Sequence, residues 1–170
     1  MNRIIFLDID GVLNNTTTFM ALKERHQSLR VIDPLNMEAV DKLVWLSGSD
    51  IVVSSSWRHA FDVHDLRDIF RDFGSLYAVE RIIDSTPRRV NESITSVAGT
   101  PAPRAWEIQE WISQNDPKSF VIFDDDEVIS CDHPTVECME MQNIMKRFIR
   151  TDPTFGLTDV HIKRALKILL

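Results

Sequence analysis

Three short apolar runs in this chain each end directly in a cluster of polar residues. The runs with their clusters are 3–7 with Asp8-Ile9-Asp10, 51–53 with Ser54-Ser55-Ser56, and 120–123 with Asp124-Asp125-Asp126. Continuous apolar runs of this length are typical of strands that are buried on both faces of a parallel sheet. Ligands of such sheets bind outside the carboxyl ends of the strands. We therefore expect the three polar clusters to meet at one crevice.

Helical patterns separate these strands. Helices are expected from Asp33-Pro34 to a C-cap at Gly48, around 66–73, around 108–112, and over 162–169 with Thr158 as N-cap. Shorter strands are expected within 78–83 and at 148–149, and loops at 14–18 and over most of 84–103. This alternation predicts an α/β protein with a Rossmann-like, three-layer α/β/α architecture around a parallel sheet. At 170 residues, one domain spanning 1–170 is expected.

The charge of the chain limits its expected partners. Lys and Arg number 19 and Asp and Glu 26, so the formal net charge is −7. Because phosphate backbones are bound by clustered basic residues, we expect no extended nucleic-acid surface and no membrane contact. No apolar run approaches the ~20 residues of a spanning helix, and Asp8 and Asp10 interrupt the N-terminal run too early for a secretory signal. With two cysteines, a cytoplasmic protein with reduced thiols is expected.

The first cluster pairs two carboxylates with a glycine. Asp8 and Asp10 lie two residues apart, and both face one ligand only if the chain leaves the strand conformation, which Gly11 permits. One carboxylate then suits a nucleophile or a metal ligand, and the other a general acid and base. A turn with two solvated aspartates is the alternative.

The third cluster places three acids after a buried strand. Asp124, Asp125 and Asp126 cannot all stay ionised at close range without a cation or a shifted pKa. Oxygen ligands from two strand ends suit Mg²⁺, which keeps several waters and is shared with substrate phosphate. An acidic surface loop is the alternative, and the presence of Asp8 and Asp10 makes the metal site the better interpretation.

The remaining polar residues supply donors for a phosphate group. A hydroxyl among Ser54, Ser55 and Ser56, with the backbone N–H groups that follow it, is suited to bind phosphate oxygens. Arg58 is a candidate bidentate phosphate ligand. Arg104, at the head of the helix around 108–112, is expected to reach the strand ends and balance phosphoryl charge, whereas Lys118 lies at the wrong end of its strand. A surface position is the alternative for Arg58, and a surface salt bridge is the alternative for Arg104.

These elements, in this order, resemble the haloacid dehalogenase (HAD) superfamily of phosphotransferases. The first motif of that superfamily resembles Phe6-Leu7-Asp8-Ile9-Asp10-Gly11, the second Val52-Val53 with the serines, the third Arg104, and the fourth Val121-Ile122-Phe123-Asp124-Asp125. Ser-Ser-Trp-Arg at 55–58 and the segment 104–111 resemble small HAD proteins related to nucleic-acid-repair phosphatases and deoxyribonucleotidases. Arg104 departs from the more usual Lys of the third motif, which keeps the charge and changes the geometry.

The resemblance implies a Mg²⁺-dependent phosphomonoester hydrolase. Asp8 would form an aspartyl-phosphate, and Asp10 would protonate the leaving alcohol and later deprotonate water. Mg²⁺ would bind Asp8, the backbone carbonyl of Asp10 and Asp125, with Asp124 close by. The motif serine and Arg104 would stabilise the phosphoryl oxygens. Counting from the strand would make Ser54 that serine, but counting back from Trp57 gives Ser55, which is the favoured assignment, with Ser54 and Ser56 as further substrate-binding candidates.

The short insertions imply a small or absent cap and therefore an open site. A nucleotide or a phosphorylated nucleic-acid end is the expected substrate class, and a sugar phosphate stays open. Basic residues of the flap region 14–31 are candidates for contact with a polyanion: Lys23, Arg25, His26 and Arg30. Trp57 flanks the serines, and packing is favoured over stacking on a base. The alternatives to a phosphatase are a phosphomutase, for which the cap is too short, and a non-catalytic phosphate-binding module.

A possible second metal site lies outside these motifs. Cys131, His133 and Cys138 offer three soft ligands within eight residues, which is a spacing that Zn²⁺ accepts. A fourth ligand is not evident, so incidental reduced thiols are the favoured interpretation.

Overall fold

The computed structural model describes residues 2–23, 31–88, 103–126 and 141–170. The strands are β1 (Arg3–Leu7), β2 (Asp50–Val53), β3 (Ile82–Ser85), β4 (Ser119–Asp124) and β5 (Phe148–Arg150). The helices are α1 (Thr16–Lys23), α2 (Pro34–Ser47), α3 (Val63–Asp72), α4 (Pro103–Asn115), α5 (Gln142–Arg147) and α6 (Asp159–Leu169), with 3₁₀ turns at Ser56–His59 and Ala78–Arg81. None of the helices in these ranges is long and apolar enough to cross a membrane.

The five strands form one parallel sheet in the order β3-β2-β1-β4-β5. The chain moves outward from β1 through β2 to β3, and then crosses to β4 on the other side of β1. The strand order therefore reverses between β1 and β4. In open α/β sheets this reversal opens a crevice beyond the carboxyl ends of the two strands, and Asp8 and Asp124 lie there.

Helices cover both faces of the sheet, which confirms the predicted α/β/α architecture. Alternate strand residues point to opposite faces, and they build two separate cores. Ile5, Leu7 and Val53 pack with α2, α3 and α6 on one face. Phe6 and Val52 pack with α4 and α5 on the other.

The caps of α2 confirm its predicted bounds. The Asp33 carboxylate accepts hydrogen bonds from the backbone N–H groups of Leu35 and Asn36, and Pro34 occupies the first helical position. Gly48 ends the helix with φ of 63°, and its N–H donates to the Val44 carbonyl. These contacts satisfy backbone groups that a helix end otherwise leaves unpaired.

Two local predictions were wrong in their bounds. The loop predicted at 14–18 already contains the start of α1 at Thr16, because Asn15 caps it through its side chain, which accepts from the Thr18 N–H at 2.8 Å. The strand predicted within 78–83 begins only at Ile82, because the preceding residues form a 3₁₀ turn. That turn starts where the buried Asp41 carboxylate accepts the N–H groups of Leu76, Tyr77 and Ala78.

Candidate active site

The strand register brings the three polar clusters together. Leu7 pairs with Val53 on one side and with Phe123 on the other. The Asp8 N–H donates to the Phe123 carbonyl at 3.0 Å, and the Ser54 N–H donates to the Leu7 carbonyl at 2.9 Å. Asp8, Ser54 and Asp124 therefore lie side by side at the carboxyl edge. Strand alternation places all three on the face that α4 covers.

Three carboxylates form the centre of this crevice. Asp8, Asp124 and Asp125 each offer an oxygen within 4.8 Å of the others. Asp8 and Asp124 are buried, and the Asp8 carboxylate also accepts its neighbour's N–H, from Ile9 at 2.8 Å. So dense a group of acids needs positive charge nearby.

Arg104 supplies a first positive charge. Its Nη1 donates to Asp8 Oδ2 at 2.5 Å and also to Asp124 Oδ2. Burial alone would lower the pKa of Arg104, but Asp8 and Asp124 outweigh it and hold the pKa above its usual value. The first turn of α4 thus carries a permanently charged guanidinium into the crevice, as the sequence predicted.

One arginine does not neutralise three acids. Burial, and next the nearby charge of Asp8, raise the pKa of Asp124 to about 6. Burial, Asp126 and Asp8 also raise the pKa of Asp125. A divalent cation would relieve this repulsion, and an oxygen-only donor set of this kind suits Mg²⁺. The residues present therefore fit the metal that the motifs imply.

Gly11 makes room for one of these carboxylates. Its φ is 69°, and a Cβ at this position would lie 2.3 Å from Asp125 Cγ. Its carbonyl accepts from Thr151 Oγ1 at 2.9 Å, and its N–H donates to Asn14 Oδ1 at 2.8 Å. The close approach of backbone to carboxyl group explains why a glycine stands after the second aspartate.

The Asp10 carboxylate lies outside the acidic cluster and is exposed. Trp57 Nε1 donates to both of its oxygens at 3.1 Å, and Asn14 Nδ2 donates to Oδ1 at 2.7 Å. Two donors from different segments therefore fix a carboxylate that would otherwise be a mobile surface group.

The three serines have different surroundings. Ser55 is buried, and its Oγ accepts the Trp57 N–H at 3.4 Å as the cap of the 3₁₀ turn. Ser56 is exposed. Ser54 is buried, and its Oγ has no hydrogen-bond partner among the described residues. An unpaired buried hydroxyl beside Asp8 is the feature expected of a group that receives a ligand oxygen.

Comparison with known proteins now adds to this geometry. The family model for the HAD domain in Swiss Army Knife RNA repair proteins matches residues 4–162. The chain belongs to this family. HAD domains are generally phosphohydrolases. The predicted relationship to small HAD proteins is thereby confirmed.

The fold of this HAD domain has a solved counterpart. The HAD domain of the effector protein Lem4 from Legionella pneumophila superposes with a TM-score of 0.51 and 17% sequence identity, covering 99% of this chain and 95% of that chain. At this identity the likeness concerns the fold alone. No curated protein sequence matches the chain.

Arg58 of this HAD domain is committed to protein contacts. Its Nη1 donates to the carbonyls of Ser54 and Ser55, both at 2.6 Å, and its Nη2 pairs with Glu107 at 2.5 Å. Both side chains of this ion pair are nearly buried. The contacts favour a role in holding the serine turn against α4 over the predicted role as a phosphate ligand.

The contacts that hold Asp10 and Arg58 could not be read from the sequence. Trp57 packs as predicted, but its hydrogen bonds to Asp10, like the contacts of Asn14 and Glu107, are identified only by the fold. The candidate zinc ligands Cys131, His133 and Cys138 lie outside the described residues, as do Arg25, His26, Arg30 and the Lys23 side chain.

Proposed function

We propose that this HAD domain is a Mg²⁺-dependent phosphomonoesterase acting through an aspartyl-phosphate on a phosphorylated nucleic-acid end or nucleotide. One observation carries the proposal. The buried Asp8 carboxylate is in contact with Arg104 and clustered with two further carboxylates, while Asp10, two residues on, is exposed and held outside this cluster. Nucleophile and counter-charge are thus adjacent, and the proton donor is held apart from them.

In the first step, an Asp8 oxygen attacks phosphorus and forms an O–P bond as the bond to the leaving alcohol breaks. Protonated Asp10 gives its proton to the leaving oxygen. Arg104 offsets the charge beside the attacking carboxylate, and Ser54 Oγ is the available side-chain donor for a phosphoryl oxygen.

In the second step, water attacks phosphorus and releases Asp8. Asp10, ionised by the first step, accepts the water proton and returns to its starting state. Asp8, Asp124, Asp125 and the Asp10 carbonyl would hold Mg²⁺, which would supply charge neutralisation for the phosphoryl group. At the end of the cycle Asp8 and Asp10 are back in their starting states, and the ester and one water have become the alcohol and inorganic phosphate.

Two observations support a nucleic-acid end as substrate. The family is named for RNA repair proteins, and Asp10 lies on the exposed side of the site, where a bulky leaving group has room. A cytoplasmic location belongs to the same proposal and rests on the cysteine usage of the chain. Because both aspartates are present and separately held, turnover is favoured over a non-catalytic phosphate-binding module.

Phosphate release with Mg²⁺ tests this function. The panel consists of nucleoside monophosphates, oligonucleotides with a 3′- or 5′-terminal phosphate, sugar phosphates and p-nitrophenyl phosphate. We expect Mg²⁺-dependent release, fastest from a nucleotide or an oligonucleotide end. If nothing in the panel reacts and BeF₃⁻ with Mg²⁺ fails to bind at Asp8, the binding module replaces the enzyme.

The acidic cluster predicts a pH-dependent effect of Mg²⁺ on stability. Because the pKa of Asp124 is raised to about 6, the metal-free folded state holds protons that the unfolded state has lost. The free energy of unfolding of the metal-free protein therefore falls as pH rises from about 4 to about 6. Mg²⁺ needs the ionised ligands, so its increase in Tm should be small near pH 5 and larger near pH 7.5. Calorimetry measures both.

Asp124→Asn serves as the control for that titration. This variant lacks the carboxyl group whose pKa is raised. The Tm of the metal-free variant should therefore decline less than that of the wild type between about pH 4 and 6. An equal Mg²⁺-induced rise in Tm at both pH values in the wild type would contradict the assignment.

Substitution of each serine identifies the phosphate ligand. Ser54→Ala should lower kcat about 10²-fold, since the hydroxyl is a transition-state donor, and should not lower Tm, because no hydrogen bond is lost. Ser55→Ala should cost about 0.5–1 kcal/mol of stability as a lost cap, with a smaller loss of kcat. The reverse pattern in phosphate-release assays would restore Ser55 as the ligand, and Ser56→Ala is the exposed control.

Trp57→Phe should affect substrates according to their leaving group. Removal of the indole N–H frees the Asp10 carboxylate, which weakens general-acid catalysis. We expect kcat to fall about tenfold or more on nucleotide substrates and less on p-nitrophenyl phosphate, whose leaving group needs little protonation. Trp45→Phe, at an exposed position of α2, is the control. An equal loss on both substrates would indicate a general packing defect instead.

A further inference from the structure

Positive charge is concentrated in the last part of the chain. Residues 141–170 contain six Lys and Arg against two Asp, whereas residues 1–140 contain 13 Lys and Arg against 24 Asp and Glu. The net charge of −7 therefore conceals a basic segment within an acidic protein. Basic residues clustered in this way create a local positive potential that attracts anions.

The fold brings part of this segment to one edge of the sheet. The strand β5 is an edge strand, and its last residue, Arg150, pairs in register with Asp124 of the active site. Arg150 Nε donates to the Asp125 carbonyl at 2.8 Å, and the residue is exposed. One end of the basic segment thus adjoins the acidic crevice.

The other cations of this segment lie on α5 and α6, which cover opposite faces of the sheet. Arg164 Nη2 donates to the Phe148 carbonyl at 3.3 Å at the start of β5. Lys163 and Lys167 are exposed on the same helix, and Lys146 is exposed just before β5. We call these residues the basic edge: Lys146, Arg150, Lys163, Arg164 and Lys167.

Most cations of the basic edge are not neutralised by the protein. In the described ranges, no carboxylate lies within ion-pair distance of Lys146, Lys163, Arg164 or Lys167. Elsewhere, cations such as Lys42 and Arg81 have acidic partners. The acid nearest to Lys163 on its helix is Asp159, which is itself paired with Lys42.

We propose that the basic edge binds the sugar–phosphate backbone of a single-stranded polynucleotide whose phosphorylated end lies in the active site. This inference rests on the proposed function and adds a surface to it. β5 spans about 10 Å at 3.3 Å per residue, and Arg150 and the Arg164 contact lie at its two ends. A strand leaving Asp8 beside Arg150 therefore reaches Arg164 within a few nucleotides.

The acidic remainder of the protein confines the nucleic acid to this edge. Backbone contacts position a strand without reading its sequence, so we expect binding that is insensitive to sequence and sensitive to salt. The net charge of −7 had suggested no extended nucleic-acid surface, because it averages the basic and acidic parts of the chain.

Charge reversal on α6 tests the proposal. The variant Lys163→Glu/Arg164→Glu/Lys167→Glu changes three exposed residues, and Lys163→Gln/Arg164→Gln/Lys167→Gln is a milder second form. Lys118→Glu, exposed before β4 at the opposite end of the sheet, is the control. Fluorescence anisotropy measures binding of a labelled single-stranded 12-mer RNA with a terminal phosphate, and phosphate release compares that RNA with a mononucleotide. Unchanged Tm values establish that the variants fold.

We expect the triple reversal to weaken 12-mer binding about tenfold or more and to reduce the salt slope by about 2, at ~0.7 per contact. Hydrolysis of the mononucleotide should not change, and Lys118→Glu should resemble the wild type. If the wild type binds the 12-mer but does not hydrolyse it, the basic edge is supported and the proposed function is contradicted. If the wild type hydrolyses the 12-mer and all variants bind it equally, only the proposal of the basic edge is contradicted. Binding of anionic vesicles but not RNA would replace the polynucleotide by a membrane surface.

Discussion

Asp8→Asn is expected to reduce Mg²⁺-dependent phosphate release by about 10⁴-fold or more while leaving the protein folded. The amide keeps the shape of the side chain but cannot attack phosphorus. It also removes one of three clustered negative charges, so the affinity for Mg²⁺ should fall as well. Phosphate release measured at several Mg²⁺ concentrations separates the loss of the nucleophile from the loss of a metal ligand.

Stability provides the second measurement for this variant. In the wild type, Asp8 contributes to the raised pKa of Asp124, so the substitution should relieve repulsion in the metal-free protein and should not lower its Tm. Asp72→Asn, at an exposed position at the end of α3, is the matched control and should retain full activity. Wild-type rates in Asp8→Asn, still dependent on Mg²⁺, would exclude Asp8 as the nucleophile.

The placement of the acids was predictable because acidic residues follow directly on the apolar run of each of two buried strands, β1 and β4. β1 and β4 are apolar until the sheet ends, and the first polar residues then lie in the crevice. The prediction needed only strand periodicity and the rule for ligand position in parallel sheets. Asp8, Asp124, Asp125 and Arg104 meet as expected.

The choice among the serines was not predictable from spacing alone. Counting from Trp57 and counting from the strand give different residues, and only the pairing of Leu7 with Val53 places position 54 beside Asp8. A shift of one residue moves a side chain to the other face of a sheet. Local sequence does not encode that register.

Contacts across long stretches of chain were equally hidden. Trp57 lies 47 residues from Asp10, and Arg58 lies 49 residues from Glu107. Trp57 and Arg58 of the Ser-Ser-Trp-Arg segment therefore act through partners that only the folded sheet brings close. Trp57 packs against the core, as the sequence predicted, and in addition holds Asp10. Arg58 holds the serine turn, and its binding of phosphate stays a prediction.

Gly11→Ala is expected to damage the metal site more than the fold. The added Cβ would lie 2.3 Å from Asp125 Cγ, closer than any real Cβ contact, so the carboxyl group must move. A displacement of about 1 Å in a catalytic site costs roughly 10² in rate. We therefore expect kcat/KM to fall about 10²-fold and the affinity for Mg²⁺ to fall about tenfold. Titration calorimetry with Mg²⁺ and phosphate-release kinetics measure the two effects.

Gly48→Ala separates this contact from backbone strain. Gly48 has nearly the same φ, 63° against 69°, and nothing lies within 4 Å of its added Cβ. Both substitutions carry the conformational cost of a positive φ, about 1 kcal/mol, but only Gly11→Ala displaces a metal ligand. Gly48→Ala should therefore lower Tm by a few degrees and keep wild-type kcat/KM. Equal losses of activity in the two variants would show that strain, not the Asp125 contact, accounts for the glycine at position 11.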